Sequence, residues 1–187
     1  MIIGLTGKNA SGKGEVAKYL QKKGFIYYSL SDVIREEATK RGIEHSRDNL
    51  INLGNELRKK FDAGYLANEI KNKIMNDKKI FSERKNFFVV DSIRSPFEAK
   101  ELMKNKDFIL LGVRAPIELR FKRLLERNRL GDAKILEEFK KQEEKENLKS
   151  DTNQQLDETF KLADAIILND ASLEELYKKV DKLLVGI

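Results

Sequence analysis

A spaced pair of glycines followed by a lysine limits the possible folds of this chain more than any other feature. The pattern G-x-x-x-x-G-K comprises Gly7, Gly12 and Lys13, directly after a short apolar run at residues 2–6. An amphipathic helical pattern begins at the lysine. Strand, glycine loop and helix in this order form a phosphate-binding loop, because the glycines let successive N–H groups point into one concavity at the positive helix end. The sequence therefore predicts a polyphosphate site.

Nine consecutive residues form the segment that we expect to contact the phosphates of ATP, with Lys13 as a mobile cation for the outer phosphates. One position departs from the general pattern, because Gly14 follows the lysine where a Ser or Thr hydroxyl usually binds Mg²⁺. Either Ser11 replaces that hydroxyl, or Ser11 only fits the turn and other groups or water hold the ion. The nine residues are Gly7, Lys8, Asn9, Ala10, Ser11, Gly12, Lys13, Gly14 and Glu15.

The composition favours one cytoplasmic domain. A chain of 187 residues can bury one substantial core, so we expect a single domain over residues 1–187. The absence of cysteine excludes disulfides, zinc–thiolate sites and thiol nucleophiles. The N-terminal apolar run is too short for a signal peptide, and no segment is long enough to cross a bilayer, so no membrane partner is expected.

The charge pattern argues against a nucleic-acid partner. The net charge is +6 with 36% charged residues, yet lysines alternate with glutamates at residues 140–146, which is typical of an exposed helix. Aromatic residues make up 8% without any tryptophan, so the sequence offers no stacking platform for bases. We expect a small-molecule partner, and a monomer and a homodimer both remain open.

Five short apolar runs separated by helical patterns define the expected skeleton. Their continuous hydrophobicity is typical of strands covered on both faces, which favours a parallel sheet with helices on each side. We therefore predict an α/β fold of the P-loop NTPase type, with a doubly wound five-stranded parallel sheet. The predicted strands are residues 2–6, 25–29, 87–91, 108–113 and 165–168.

Two stretches between strands are longer than a simple crossover needs. Residues 31–86 contain about three helical patterns, and residues 116–162 are similarly long. Long helical inserts at the carboxyl ends of parallel strands usually lie over the ligand site. We expect residues 31–86 to bind a phosphate acceptor and residues 116–162 to form a mobile lid.

Acidic and basic side chains follow the second and third predicted strands. Asp32 can hold magnesium-bound water or orient an attacking oxygen, and Arg35 can clamp an acceptor phosphate. Alternatively, Ser31 or Asp32 caps the next helix, which does not exclude a chemical role. Asp91 ends a buried strand and is expected to bind Mg²⁺, directly or through water. Arg94 is a second candidate for a phosphate clamp at the same edge.

Four arginines cluster after the fourth strand. Arg120, Arg123 and Arg127 share one helical face, and Arg129 lies just beyond. Such a face on a lid can neutralise a transferred phosphoryl group or stack on a base. The alternative is an exposed basic helix that is partly paired with its own glutamates. For the cluster as a whole, we favour the functional interpretation.

Two further segments carry local signals. Ser95 and Glu98, with a proline between them, predict a helix start with a capping box. The pair Asn169 and Asp170 follows the last strand, where it either contacts a purine base or forms a turn, and we favour the turn.

These residues together resemble the nucleoside monophosphate kinase group, which includes adenylate kinases, deoxynucleoside monophosphate kinases and dephospho-coenzyme A kinases. Residues 12–14 resemble the adenylate kinase loop, although Glu15 replaces its usual threonine, and residues 31–35 are similar to the acceptor corner of the group. Residues 53–58 and 91–99 look like the deoxynucleoside monophosphate kinase pattern. Residues 162–170 resemble the last strand of dephospho-coenzyme A kinases.

The resemblance implies an ATP- and Mg²⁺-dependent phosphotransferase that acts on a nucleoside or deoxynucleoside monophosphate. The alternatives are a dephospho-coenzyme A kinase-like enzyme and a regulatory NTPase without an acceptor. Phosphoryl transfer needs positioning and charge neutralisation, so no protein nucleophile is required. The expected catalytic residues are Lys13, Asp32, Asp91, Arg94, Arg123 and Arg127. Acceptor binding is expected at Asp32, Arg35, Arg58 and Arg94, and Arg120 joins the loop in binding the nucleotide.

Overall fold

The computed structural model describes residues 1–80, 87–128, 131–147 and 154–186. Its strands form one five-stranded sheet in the order β2-β3-β1-β4-β5, and every neighbouring pair is parallel. The predicted parallel α/β sheet is therefore confirmed. The strands are β1 (Ile2–Thr6), β2 (Ile26–Ser29), β3 (Phe88–Asp91), β4 (Phe108–Arg114) and β5 (Ala165–Leu168).

Helices cover the sheet on both faces, as the continuous apolar strands require. One face packs against α1 and α9, and the other packs mainly against the group α2 to α5. The central strand β1 is buried at all five positions. The helices are α1 (Lys13–Lys22), α2 (Leu30–Lys40), α3 (Arg47–Lys60), α4 (Tyr65–Ile80), α5 (Pro96–Met103), α6 (Ile117–Arg127), α7 (Leu136–Glu146), α8 (Leu156–Lys161) and α9 (Leu173–Val185).

Four helices, α2, α3, α5 and α9, begin at a serine whose side chain caps the first turn. Ser95 and Glu98 form the predicted capping box at α5, with a proline in the first turn. At α2 the alternative of a cap at Ser31 or Asp32 was wrong, because the cap is Ser29, whose hydroxyl accepts a hydrogen bond from the Ser31 N–H. Helix α2 starts directly at the end of β2, so Asp32 lies inside its first turn rather than at its cap.

The two inserts follow β2 and β4. Helices α2, α3 and α4 come after β2, and α6, α7 and α8 come after β4. Because parallel strands end at one edge of the sheet, both inserts begin at the edge where β1 leads into the glycine loop. Within the described parts of the chain, no helix combines the length and apolar character that crossing a bilayer requires.

Candidate functional site

Two glycines give the loop between β1 and α1 its shape. Gly7 and Gly12 have φ angles of +140° and +103°, a region that favours glycine. A Cβ atom would lie 2.2 Å from the Val113 carbonyl oxygen at Gly7, and 2.0 Å from Asn169 Nδ2 at Gly12. A Cβ at Gly14 would meet nothing within 4 Å. The first two positions therefore require glycine, whereas Gly14 lies beside open space.

Three polar side chains of the loop lie just before or at the N-terminus of α1. Lys13 Nζ donates to the carbonyl oxygens of Gly7, at 2.6 Å, and Lys8, at 3.0 Å, so the ammonium group lies over the loop. Asn9 Nδ2 and Ser11 Oγ are buried and have no hydrogen-bond partner among the described residues. Buried polar atoms normally have partners. These groups fit a polyphosphate, and the Ser11 hydroxyl also suits a hard cation such as Mg²⁺.

Asn169 supports the loop from the end of β5. Its Nδ2 donates to the Ser11 carbonyl oxygen over 2.9 Å, and the residue is only 3% exposed. Our preference for a simple turn at Asn169 and Asp170 was therefore wrong. The sequence placed Asn169 at the correct sheet edge, but no local pattern revealed that its amide reaches a loop 158 residues away.

Arg120 of α6 is buried beside the loop and pairs with Glu143 of α7. It also donates to the carbonyl oxygen of Asn9 at 3.2 Å, and its guanidinium lies 5.4 Å from the Phe139 ring centre. Lys8 Nζ lies 4.0 Å from the Glu143 carboxylate. Glu143 is only 5% exposed, so the exposed helix predicted over residues 140–146 is buried at this position.

The other arginines of the cluster have different neighbours. Arg123 Nη2 lies 3.3 Å from both the backbone and the side-chain oxygen of Asn169, while burial lowers the pKa of Arg123. Arg127 forms a two-bond pair with Asp132, at 2.9 Å for each bond. Arg129 lies outside the described residues. The structure therefore brings Arg120 to the loop and Arg123 to Asn169, and it pairs Arg127 with Asp132.

The two candidate magnesium ligands follow neighbouring strands. Ser29, the last residue of β2, lies beside Asp91 at the end of β3, and Asp32 follows within one helical turn. Burial, together with the charges of Asp91 and Asp32, raises the pKa of Tyr27 to about 12. Within the described ranges, no group of three or more His, Cys, Asp or Glu residues forms a metal cluster. Two carboxylates nevertheless fit Mg²⁺, which usually keeps several water ligands.

The candidate acceptor arginines lie in paired arrangements. Arg35 donates to Asp32 over 2.9 Å. Arg58 is buried and donates through Nε and Nη2 to one oxygen of Glu98, at 3.0 and 2.7 Å. The other oxygen of Glu98 accepts the N–H of Arg94, whose side chain reaches Gln154 at 3.3 Å. Glu98 therefore joins Arg58 to the backbone of Arg94, a link that the sequence did not reveal.

A cavity of about 750 Å³ opens beside the loop, on the β4 and β5 side. Its polar end includes Lys8, Ser11 and Arg120. Its apolar wall includes Phe160 and Ile166, the latter 57% exposed on the edge strand. Most small-molecule sites combine an apolar wall with a few polar groups at one end. This cavity has that arrangement.

The solved structures to which this chain is similar have the same architecture. The TT1252 protein of Thermus thermophilus matches with a TM-score of 0.59 at 24% identity, over 100% of this chain and 97% of that chain. Shikimate kinase from Aquifex aeolicus matches with a TM-score of 0.52 at 18% identity, over 100% and 97%. At such identities the likeness establishes the fold alone. It is the P-loop NTPase α/β fold, as the sequence predicted.

Comparisons of sequence identify the family. A family model described as an AAA domain matches residues 3–154. The UPF0200 protein PH1008 of Pyrococcus horikoshii is 35% identical over 192 residues, covering 100% of this chain and 97% of the relative. The UPF0200 protein of Sulfurisphaera tokodaii is 31% identical over 186 residues, with 100% and 97% covered. This chain, an AAA domain over most of its length, therefore belongs to the UPF0200 family.

Proposed function

We propose that this protein is an ATP- and Mg²⁺-dependent phosphotransferase whose acceptor is a nucleoside or deoxynucleoside monophosphate. The observation that carries the proposal is a glycine loop that holds Lys13 together with two buried groups, Asn9 Nδ2 and Ser11 Oγ, which have no partner among the described residues. Such a cluster of N–H, hydroxyl and ammonium groups suits the phosphates of a nucleotide.

The strand order supports a division of the site into donor and acceptor sides. The loop follows β1, which lies between β3 and β4. The cavity beside β4 and β5 has room for the nucleoside of ATP, with its polar end toward the loop. Asp91, Asp32 and the arginines after β2 and β3 lie on the other side. A triphosphate on the loop therefore directs its γ-phosphate toward the acidic residues.

In the proposed reaction an acceptor phosphate oxygen attacks the γ-phosphorus of ATP. A new P–O bond forms, the bond to the β,γ-bridging oxygen breaks, and ADP leaves. Bound Mg²⁺ supplies charge neutralisation between the phosphates. Asp91 and Asp32 are suited to hold the ion, partly through water. Arg35 and Arg94 hold the acceptor phosphate. Arg58 supports Arg94 indirectly, because its pair with Glu98 joins α3 to the first turn of α5.

Arg120 and Arg123 complete the proposed donor side. Arg120 reaches the loop from α6, whereas Arg123 reaches Asn169, and Arg123 Nη1 is buried without a partner among the described residues. A guanidinium group in this position can neutralise charge on the transferred phosphoryl group. For Arg127, the same role requires that its pair with Asp132 opens.

A screen for ADP release tests the proposal. The wild-type protein is incubated with ATP, Mg²⁺ and each nucleoside or deoxynucleoside monophosphate, with dephospho-coenzyme A and shikimate as further acceptors. ADP release that depends on a monophosphate supports the proposal. Turnover only with dephospho-coenzyme A or shikimate would change the acceptor class, and phosphate release without any phosphorylated acceptor would indicate a regulatory NTPase.

The substitution Lys13→Ala tests the role of the loop. We expect the rate to fall at least about a hundredfold, because a cation on the transferred charge is lost. The unfolding midpoint should shift by no more than about 2 °C, since the Lys13 ammonium group donates to carbonyl oxygens of the loop and is not part of the apolar core. Lys22→Ala, at the exposed last turn of the same helix, is the matched control and should leave both quantities unchanged.

A further inference from the structure

Asn169 connects three parts of the molecule that meet at the loop. Its backbone N–H donates to the carbonyl oxygen of Arg114 at 2.7 Å, which fixes the residue at the ends of β4 and β5. Its side chain then points away from the strand toward the glycine loop. The residue is nearly fully buried, so its amide is held by protein contacts rather than by solvent.

One contact of the amide fixes the loop. Asn169 Nδ2 donates to the carbonyl oxygen of Ser11 at 2.9 Å, and it fills the space that a Cβ at Gly12 would occupy. The hydrogen bond holds the Ser11 carbonyl on the side of the loop that faces Asn169. A carbonyl oxygen turned away from the concavity leaves the N–H groups to face an anion.

The other contact reaches the helix that follows β4. Arg123 Nη2 lies 3.3 Å from both oxygens of Asn169, and Arg123 Nη1 is buried without a partner among the described residues. Arg123 therefore has one nitrogen bonded to Asn169 and another that is buried without a partner among the described residues. A single amide thus links the loop to an arginine of the lid insert.

We propose that Asn169 is a positioning residue that couples phosphate binding at the loop to the orientation of Arg123. This inference rests on the proposed function, because it assumes that the loop binds a nucleotide. Asn169 acts through the Ser11 carbonyl and the Arg123 guanidinium. When phosphates occupy the loop, the amide keeps both groups in the arrangement that transfer requires.

A double-mutant cycle in the full chain tests the coupling. Calorimetry with MgATP measures the dissociation constant of the wild type, Asn169→Ala, Arg123→Ala and the double variant. We expect Asn169→Ala and Arg123→Ala each to weaken binding about tenfold, and the double variant to be weaker than either by less than about threefold. The kcat of Asn169→Ala should also fall about tenfold, because Arg123 is displaced.

Asn169→Asp removes the contact with Ser11 but keeps the contact with Arg123. It also provides a second test in case Asn169→Ala does not fold. The carboxylate has the same shape and still accepts from Arg123, but it cannot donate to the Ser11 carbonyl. We expect this variant to unfold near the wild-type midpoint and to bind MgATP more than tenfold more weakly. Asp170→Ala, at the exposed neighbouring position, is the matched control and should bind as the wild type does.

The outcomes distinguish the two claims. If the wild type binds MgATP and both Asn169 variants bind it within twofold of the wild type, the coupling is wrong while the proposed function stands. Fully additive losses in the cycle would also overturn the coupling, since they would assign Asn169 and Arg123 independent effects. If the wild type itself binds no MgATP, the proposed function fails and the inference fails with it.

Discussion

Two buried arginine–glutamate pairs lie on opposite sides of the glycine loop, and their surroundings differ. In the pair Arg58–Glu98, the side chains are 3% and 0% exposed. Arg58 donates twice to one oxygen of Glu98, and the other oxygen accepts the N–H groups of Arg94 and Ser95. This pair joins α3 to the first turn of α5, and both of its carboxylate oxygens are occupied by groups of the fold.

The pair Arg120–Glu143 has residues of the candidate phosphate site as neighbours instead. Arg120 also donates to the carbonyl oxygen of Asn9, and Lys8 lies 4.0 Å from the Glu143 carboxylate. Both cations belong to the set expected to contact phosphates, so a bound polyphosphate and Glu143 compete for the same positive charges. The comparison teaches that two buried pairs of the same type can differ in their neighbours, and we expect only the second pair to influence the affinity for a nucleotide.

The largest expected effect is that of Glu98→Ala on stability. The change leaves the buried Arg58 guanidinium without its anion and removes the capping box of α5. We expect the free energy of unfolding to fall by about 3–5 kcal/mol, as measured by urea denaturation. A loss below about 1 kcal/mol would mean that the pair behaves like a surface ion pair and would remove the basis of the comparison.

The corresponding change on the other side, Glu143→Ala, should destabilise less. Arg120 then keeps the carbonyl oxygens of Ala115 and Asn9 and the Phe139 ring as neighbours. We expect a loss of about 2 kcal/mol in the free energy of unfolding, the size of a hydrogen bond to a charged group. A loss equal to that of Glu98→Ala would show that the two pairs are equivalent in the fold.

Glu143→Gln tests whether the second pair differs from the first in its effect on MgATP binding. The substitution removes a negative charge beside Lys8 and Arg120 while keeping the side-chain shape. We expect the dissociation constant for MgATP to fall by about threefold to tenfold, because less repulsion opposes the phosphates. Calorimetry measures both variants, and the control Glu98→Gln should leave the dissociation constant for MgATP within twofold of the wild type. If Glu143→Gln binds MgATP as the wild type does, or more weakly, Glu143 does not compete with the phosphates.

The smallest effect belongs to an exposed pair far from the loop. Lys178 contacts Glu174 and Glu175 on the surface of α9, at 3.0 and 3.1 Å. Exposed pairs of this kind contribute little to stability. Lys178→Ala should therefore leave both the unfolding midpoint and the MgATP affinity unchanged, which provides the baseline for the three preceding variants.

The sequence predicted the features that depend on neighbouring residues. The five strands were found within about one residue, because continuous apolar runs between helical patterns mark buried parallel strands. The glycine loop was found because its function requires a fixed spacing. The capping box at Ser95 and Glu98 was found because it is encoded within four residues.

Contacts between distant residues could not be predicted in the same way. Arg58 and Glu98 are 40 residues apart, and nothing local marks them as partners. Glu143 lies in a run of lysines and glutamates that is typical of solvated surface, and only the packing of α7 beside α6 buries it. The amide of Asn169 was misjudged for the same reason, since its partners come from β1–α1 and α6.

The open space beside Gly14 has a practical consequence for engineering. A glycine within a helix makes the helix less stable by about 0.5–1 kcal/mol relative to alanine. At Gly14, however, no neighbouring atom lies within 4 Å of the position that a Cβ would take. A hydroxymethyl group installed there meets no steric obstacle and gains helical propensity. The first turn of α1 is therefore a site where a designer can add an oxygen ligand for a divalent cation without remodelling the surrounding scaffold.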